Sequence, residues 1–135
     1  MGVEVAAELK DVDFDTRFKW VLDQKAEGNK AFGLKNYMGA SDIYLKTLCG
    51  MDFKKPSKAD KEKINAELKV PVLNNLALCL INQKLFARAI QMTDKVLEID
   101  RLNHKALHRK CLAAIELSDY STAKTVLTKL EEAAF

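Results

Sequence analysis

Two pairs of polar side chains in this sequence have the spacing of one helical turn. Lys25 and Asn29 are four residues apart, and so are Lys105 and Arg109. In a helix, residues at this spacing lie one above the other on a single face. Lys105 and Arg109 are both cations, and at this spacing they repel each other by roughly 0.2–0.5 kcal/mol. No acidic residue nearby on the same helix offsets the repulsion. Asn75 adds an amide within a helical pattern that it does not favour. These side chains indicate a site at which a bound anion would offset the repulsion between the cations.

A second group of residues has metal-ligand spacing. His104 and His108 are four residues apart, and Cys111 follows three residues later. The helical His-Glu-x-x-His zinc motif is not matched, because Lys105 occupies the position of the glutamate, and Lys105 and Arg109 would oppose a bound cation. No phosphate-binding glycine loop, nucleophile elbow or carboxylate pair occurs in the sequence. We therefore expect no metal, no cofactor and no enzyme activity in this chain.

The elements that carry these residues follow a helical period. Apolar residues recur at three- and four-residue steps on both sides of a polar break at 82–84, first at Leu73, Leu76, Ala77, Leu80 and Ile81, and then at Phe86, Ala89, Ile90, Val96, Leu97 and Ile99. This pattern predicts two amphipathic helices that fold back on each other across a short turn.

The same unit recurs along the chain. The residues Ala77, Phe86, Ala89 and Val96 correspond to Cys111, Tyr120, Ala123 and Leu130 at an offset of 34, and to Gly28, Tyr37, Ala40 and Thr47 at an offset of 49. A period of 34 with a small residue, an aromatic residue and an alanine is typical of the tetratricopeptide repeat (TPR). The sequence therefore resembles a three-repeat TPR domain, with 15 extra residues inserted between the first two repeats.

This resemblance implies an all-α fold, a right-handed superhelical stack of three helix-turn-helix repeats. Residues 1–14 are predicted to form a flexible lead-in, and residues 15–135 a single domain. Repeat 1 covers about 21–50, the insertion 51–69, repeat 2 about 70–103 and repeat 3 about 104–135.

Capping residues predict where these helices begin and end. The expected boundaries are Asp15 or Asp13 and then Asn36 at the first two helix starts, Gly50 at a helix end, Ser57 at the start of a helix within the insertion, Asn103 at the opening of the third repeat, and Asp119 at the start of the last helix. Pro71 is expected either to restart a helix at a first-turn position or to kink it.

Composition limits the classes of protein and partner. A chain of 135 residues that is 48% hydrophobic and 30% charged fits one soluble domain, and a net charge of +3 implies no nucleic-acid partner. No apolar run approaches the roughly 20 residues of a membrane span, so we expect a cytoplasmic protein without a membrane partner. Cys49, Cys79 and Cys111 are odd in number and far apart, which predicts reduced thiols.

A narrower resemblance concerns the polar residues themselves. The segments Lys25-x-x-Gly28-Asn29, Asn75-Leu76-Ala77 and Lys105-x-x-x-Arg109 are similar to the dicarboxylate clamp of TPR co-chaperones. In that family the clamp holds the C-terminal tail, Glu-Glu-Val-Asp, of the 90- or 70-kDa heat-shock chaperones. The resemblance implies that Lys25, Asn29, Asn75 and Lys105 hold the two carboxylates of the final Asp. Arg109 would reach the peptide further upstream.

Four more residues are candidates for the lining of the same groove: Phe32, Leu78, His108 and Glu116. Phe32, one turn beyond Asn29, could form an apolar wall for the valine of the tail, although a phenylalanine at such a position is more often part of a core. Glu116, seven residues after Arg109, would disfavour an acidic residue upstream or would select which tail binds.

The long insertion most resembles the TPR domains of FKBP-type and cyclophilin-type immunophilins and of aryl-hydrocarbon-receptor-interacting proteins. Those proteins carry an N-terminal isomerase-like domain, and if the parent protein has one, this chain is its docking part. The alternative function is a TPR scaffold that binds an internal segment of a partner without a free carboxyl terminus. A monomer is expected, with self-association possible through Leu127, Leu130 and Phe135 of the uncapped last repeat.

Overall fold

The chain folds into α-helices, as predicted. The structure is a computed structural model that describes Leu9 and residues 11–134. The chain is 79% helical, and no strand occurs among the described residues. The helices are α1 (Phe14–Gly33), α2 (Tyr37–Cys49), α3 (Lys58–Ile64), a π-helical turn (Asn65–Lys69), α4 (Val70–Asn82), α5 (Phe86–Ile99), α6 (His104–Glu116) and α7 (Tyr120–Ala133). Most of the predicted lead-in, and Phe135, lie outside the described residues.

The capping predictions are confirmed, with Asp13 rather than Asp15 at the first helix. Each capping side chain accepts a hydrogen bond from the backbone N–H three residues later, namely Asp13 from Thr16 at 2.7 Å, Asn36 from Gly39 at 3.0 Å, Ser57 from Asp60 at 3.1 Å, Asn103 from Ala106 at 3.0 Å and Asp119 from Thr122 at 3.2 Å. Gly50 follows the end of α2, also as predicted. These bonds satisfy backbone donors that have no partner within the helix.

The inserted residues form a helix that continues into the second repeat. From Lys58 to Asn82 the helix runs for 25 residues, and its π-helical turn ends two residues before Pro71. Because proline has no N–H and its ring collides with the carbonyl of the fourth residue before it, a regular α-turn cannot continue through Pro71. A wider turn relieves that collision. Pro71 is thus accommodated by a π-turn rather than by a new helix start.

This long helix corrects the expectation that no apolar segment approaches the length of a membrane span. The helix from Lys58 to Asn82 is long enough to span a membrane and contains an 18-residue window with a mean hydropathy of 1.3, but half of that window is buried inside the fold. Leu68, Leu73 and Leu76 are completely buried. The central helix of a folded domain has the same properties, so this helix gives only weak support for a membrane span.

By their internal contacts, the residues fall into two compact units, one up to Val72 and the other from Leu73. In the first unit α1 packs against α2, and Val21 of α1 shares a core with the insertion residues Phe53, Ile64 and Leu68. Arg17 is also buried there. Its guanidinium donates to the carbonyls of Leu9 and Gly50.

In the second unit α6 packs against both α5 and α7. The core consists of Leu107, Cys111, Ala114, Ala123 and Val126. Cys111, which occupies the small-residue position of the third repeat, lies in this core with its Sγ atom 4.0 Å from the carbonyl oxygen of Ala123. All three cysteines are free thiols, as predicted, and Cys49 is the exposed one.

Candidate functional site

In the first unit, Lys25 and Asn29 lie on α1, on either side of a very close contact between α1 and α2. Gly28 is buried against the ring of Tyr44, and a Cβ atom at position 28 would lie 2.5 Å from Cε1 of that ring. Real Cβ atoms do not approach other atoms so closely. The absence of a side chain at Gly28 therefore lets Tyr44 reach the position beside Asn29.

The hydroxyl group of Tyr44 donates a hydrogen bond of 2.6 Å to Oδ1 of Asn29. Tyr44 is completely buried, whereas Asn29 is exposed. This bond fixes the orientation of the amide, because its oxygen faces the hydroxyl and its Nδ2 donor lies on the opposite side. The Nδ2 group of Asn29 is a donor of the kind that binds a carboxylate.

Lys25 is half-buried, and its ammonium nitrogen Nζ donates to the backbone carbonyl oxygen of Glu67 at 2.9 Å. An ammonium group has three N–H donors, so two remain for other acceptors. Lys25 also lines a groove of about 460 Å³. The partly exposed side chains of Phe18 and Leu22 contribute to its wall. An anion can approach Lys25 from this groove.

In the second unit, Arg109 has a buried nitrogen without a partner. Its Nη1 atom is buried and makes no hydrogen bond among the described residues. Burial lowers the pKa of Arg109 below its ordinary value, against an opposing effect of Cys79. In the part of the chain that the structure describes, neither Arg109 nor the exposed Lys105 forms an ion pair, whereas the neighbouring Lys110 binds Asp94 at 2.7 Å.

The other predicted residues differ in their surroundings. Asn75 and Leu78 are half-buried on α4, and His108 and Glu116 are exposed on α6. Phe32 is half-buried, and its ring meets the ring of Tyr37 edge-on at a centroid distance of 5.9 Å. This contact is typical of packing between α1 and α2.

Each unit thus holds part of the predicted set. Lys25 and Asn29 belong to the first unit, and the second unit contains Asn75, Lys105 and Arg109. Sequence reasoning missed the roles of Tyr44 and Glu67. The available signals were Gly28, which predicts a close approach of another helix, and Pro71, which leaves the carbonyl of Glu67 without its usual helical donor.

No protein-family model matches the chain. The peptidyl-prolyl cis-trans isomerase FKBP4 of Bos taurus is 27% identical over 128 residues, which cover 94% of this chain and 28% of FKBP4. The chain therefore spans little more than a quarter of this relative.

Two solved structures resemble the fold. The C-terminal TPR-containing domain of a Plasmodium falciparum FK506-binding protein aligns with a TM-score of 0.83 and 26% identity, over 90% of this chain and 81% of that one. The first TPR of Spaghetti (RPAP3), bound to the HSP90 peptide SRMEEVD, aligns with a TM-score of 0.65 and 26% identity, over 84% and 78% of the two chains. The predicted fold is confirmed: the chain has the all-α fold of a tetratricopeptide-repeat domain, and it is similar to the TPR domains of this FK506-binding protein and of RPAP3.

Proposed function

We propose that this domain binds the acidic C-terminal tail, Glu-Glu-Val-Asp, of the 90-kDa or 70-kDa heat-shock chaperones. In this proposal Lys25, Asn29, Asn75 and Lys105 bind the two carboxylates of the final Asp, and Arg109 binds the peptide upstream. The observation that carries the proposal is the buried, unpartnered Nη1 atom of Arg109. A buried cation without a counter-ion is costly, and an acidic ligand would supply the missing acceptor.

The chemistry of the five side chains suits such a ligand. A C-terminal aspartate presents four carboxylate oxygens in a small volume, and each charge-assisted hydrogen bond can contribute about 1.5–3 kcal/mol. Asn29 and Asn75 donate amide protons without adding charge repulsion. Ordering of a flexible tail offsets much of this sum, so we expect micromolar affinity, about −8 kcal/mol.

The comparison with RPAP3 supports the same class of ligand. Its first TPR, which aligns over 84% of this chain, is bound to an HSP90 peptide that ends in Glu-Glu-Val-Asp. For the present chain this ligand is our proposal, since the match rests on 26% identity. The two pairs of donors on α1 and α6 are the features that a carboxylate ligand would use.

Calorimetric titration with the peptide SRMEEVD tests the proposal, with the free and the C-terminally amidated peptide compared. We expect micromolar binding of the free peptide, at least tenfold weaker binding of the amide, and weaker binding at higher salt. Lys105→Ala should weaken binding about tenfold or more. The control variant is Lys95→Ala, which replaces an exposed lysine on α5. Equal affinity for the two peptides, or no effect of Lys105→Ala, would contradict the proposal.

The scaffold alternative rests on a different observation in the second unit. Several large apolar side chains are more than 40% exposed there, namely Leu112, Ile115, Leu117 and Leu127. Exposed apolar side chains of this kind can bind a partner segment without a terminal carboxylate. Binding that ignores amidation but is lost in Leu127→Ser would favour this alternative.

A further inference from the structure

We infer that the inserted segment positions Lys25 for anion binding, through the backbone carbonyl of Glu67. The inference rests on the proposed function and gives a role to the residues that interrupt the repeat pattern. The side chain of Lys25 spans from α1 to the π-helical turn, where its Nζ atom donates to Glu67 O at 2.9 Å. The two residues are 42 positions apart in the sequence, so this bond requires the insertion to pack beside α1.

Pro71 explains why this carbonyl can accept a side-chain donor. In a regular α-helix the carbonyl of Glu67 would accept the N–H of residue 71, four positions later. Proline has no N–H, and the chain forms a π-turn from Asn65 to Lys69, which ends two residues before Pro71. The carbonyl of Glu67 therefore lacks its α-helical donor, and the ammonium group of Lys25 binds it.

Apolar packing holds the insertion at the distance this bond requires. Ile64 and Leu68 are four residues apart on one helical face, and both are buried in a core with Val21 of α1. Ser57 caps the helix that precedes them. Glu67 lies between Ile64 and Leu68 in the sequence, within the π-helical turn that contacts α1. The insertion is therefore fixed against α1 by its own core rather than by Lys25.

A neutral acceptor suits the proposed role better than a carboxylate would. A carboxylate partner would offset the charge of Lys25, whereas a carbonyl oxygen orients the ammonium group and leaves its charge available to a ligand. The other lysine of the groove, Lys63, lies over the Phe18 ring with Nζ 4.9 Å from its centroid. Orienting a long side chain before binding removes part of the entropy cost of association.

The variant Pro71→Ala tests the inference, because alanine returns an N–H that can bind the carbonyl of Glu67. We expect the side-chain ammonium signals of Lys25 in nuclear magnetic resonance spectra to shift and to broaden through faster exchange with water. We also expect affinity for SRMEEVD to fall about two- to tenfold, while resistance to urea stays equal or increases. The matched control is Pro56→Ala, which changes the other proline of the sequence, in the loop before α3.

A double-mutant comparison shows whether Pro71→Ala changes peptide affinity through the position of Lys25 or through a general change in the fold. In a Lys25→Met background, Pro71→Ala should leave affinity unchanged, because there is no longer an ammonium group to position. An equal loss in both backgrounds would overturn the inference, as would unchanged Lys25 signals in the single variant. If the wild-type protein binds the peptide and Pro71→Ala binds it equally well, the positioning inference alone is overturned. Failure of the wild-type protein to bind the peptide would contradict the proposed function.

Discussion

The hydroxyl group of Tyr44 and the side-chain oxygen of Asn29 form a 2.6 Å hydrogen bond between α2 and α1. This bond joins a completely buried residue to an exposed one. The packing of α2 against α1 thus has a second role here, because the aromatic ring of Tyr44 carries a polar group to the residue that we propose binds a carboxylate. A tyrosine has few rotatable bonds, so its hydroxyl is a rigid support.

Removal of this hydroxyl in Tyr44→Phe should weaken peptide binding while preserving the ring. Loss of one hydrogen bond of about 0.5–1.5 kcal/mol corresponds to roughly a two- to tenfold weaker affinity. Calorimetric titration with SRMEEVD measures the change, and Tyr120→Phe, at a tyrosine that is 66% exposed, is the control. If both variants bind as tightly as the wild type, Tyr44 does not orient Asn29 for the ligand.

Gly28 and Gly33 provide a matched pair on α1. Gly28→Ala should lower the free energy of unfolding by about 1–3 kcal/mol, since its Cβ would lie 2.5 Å from Tyr44. Gly33→Ala places a methyl group where nothing lies within 4 Å, and should stabilise the helix by up to about 1 kcal/mol. Urea denaturation followed by circular dichroism measures both changes. Equal stability of the two variants would show that the ring of Tyr44 shifts easily.

The parts of the fold that could be predicted from the sequence are those that depend on local patterns. The helical period and the caps at Asp13, Asn36 and Ser57 depend on residues a few positions apart, and the structure confirms them. The all-α class followed from the repeat of a small residue, an aromatic residue and an alanine. Such short-range rules do not require knowledge of which helices lie side by side.

The supports of the candidate site depend on tertiary contacts and were not predicted. The bond from Lys25 to Glu67 spans 42 residues, and no periodic pattern relates the two. For Pro71 the sequence predicted either a helix restart or a kink. Local propensity does not determine how the backbone of the neighbouring residues adjusts to the hydrogen bond that proline cannot make. Arg17 was not predicted to be buried, since only the folded chain brings the carbonyls of Leu9 and Gly50 to its guanidinium.

The cap of α7 gives a prediction for stability in acid. The hydroxyl and the backbone N–H of Thr122 donate to Asp119 and lower the pKa of its carboxyl below the ordinary value. The unfolded chain therefore binds more protons than the folded chain between the lowered pKa and the ordinary one, and stability falls as the pH drops through that interval. The advantage of wild type over Asp119→Asn in urea should be present at neutral pH and shrink below about pH 4. An advantage that is independent of pH would contradict this account.

Arg109→Met should separate stability from binding. At neutral pH the guanidinium is charged in both the folded and the unfolded chain. Burial lowers its pKa in the folded chain, so its charge opposes folding. This opposition is lost only when the pH rises through the lowered pKa of the folded state. Replacement by an apolar side chain should therefore not lower the free energy of unfolding appreciably. Affinity for SRMEEVD should fall roughly ten- to hundredfold, since a charge-assisted bond is lost. Arg88→Met, at an exposed position on α5, should change neither quantity appreciably. If Arg109→Met destabilises the fold and leaves affinity intact, Arg109 is a structural residue, and the anion must bind elsewhere.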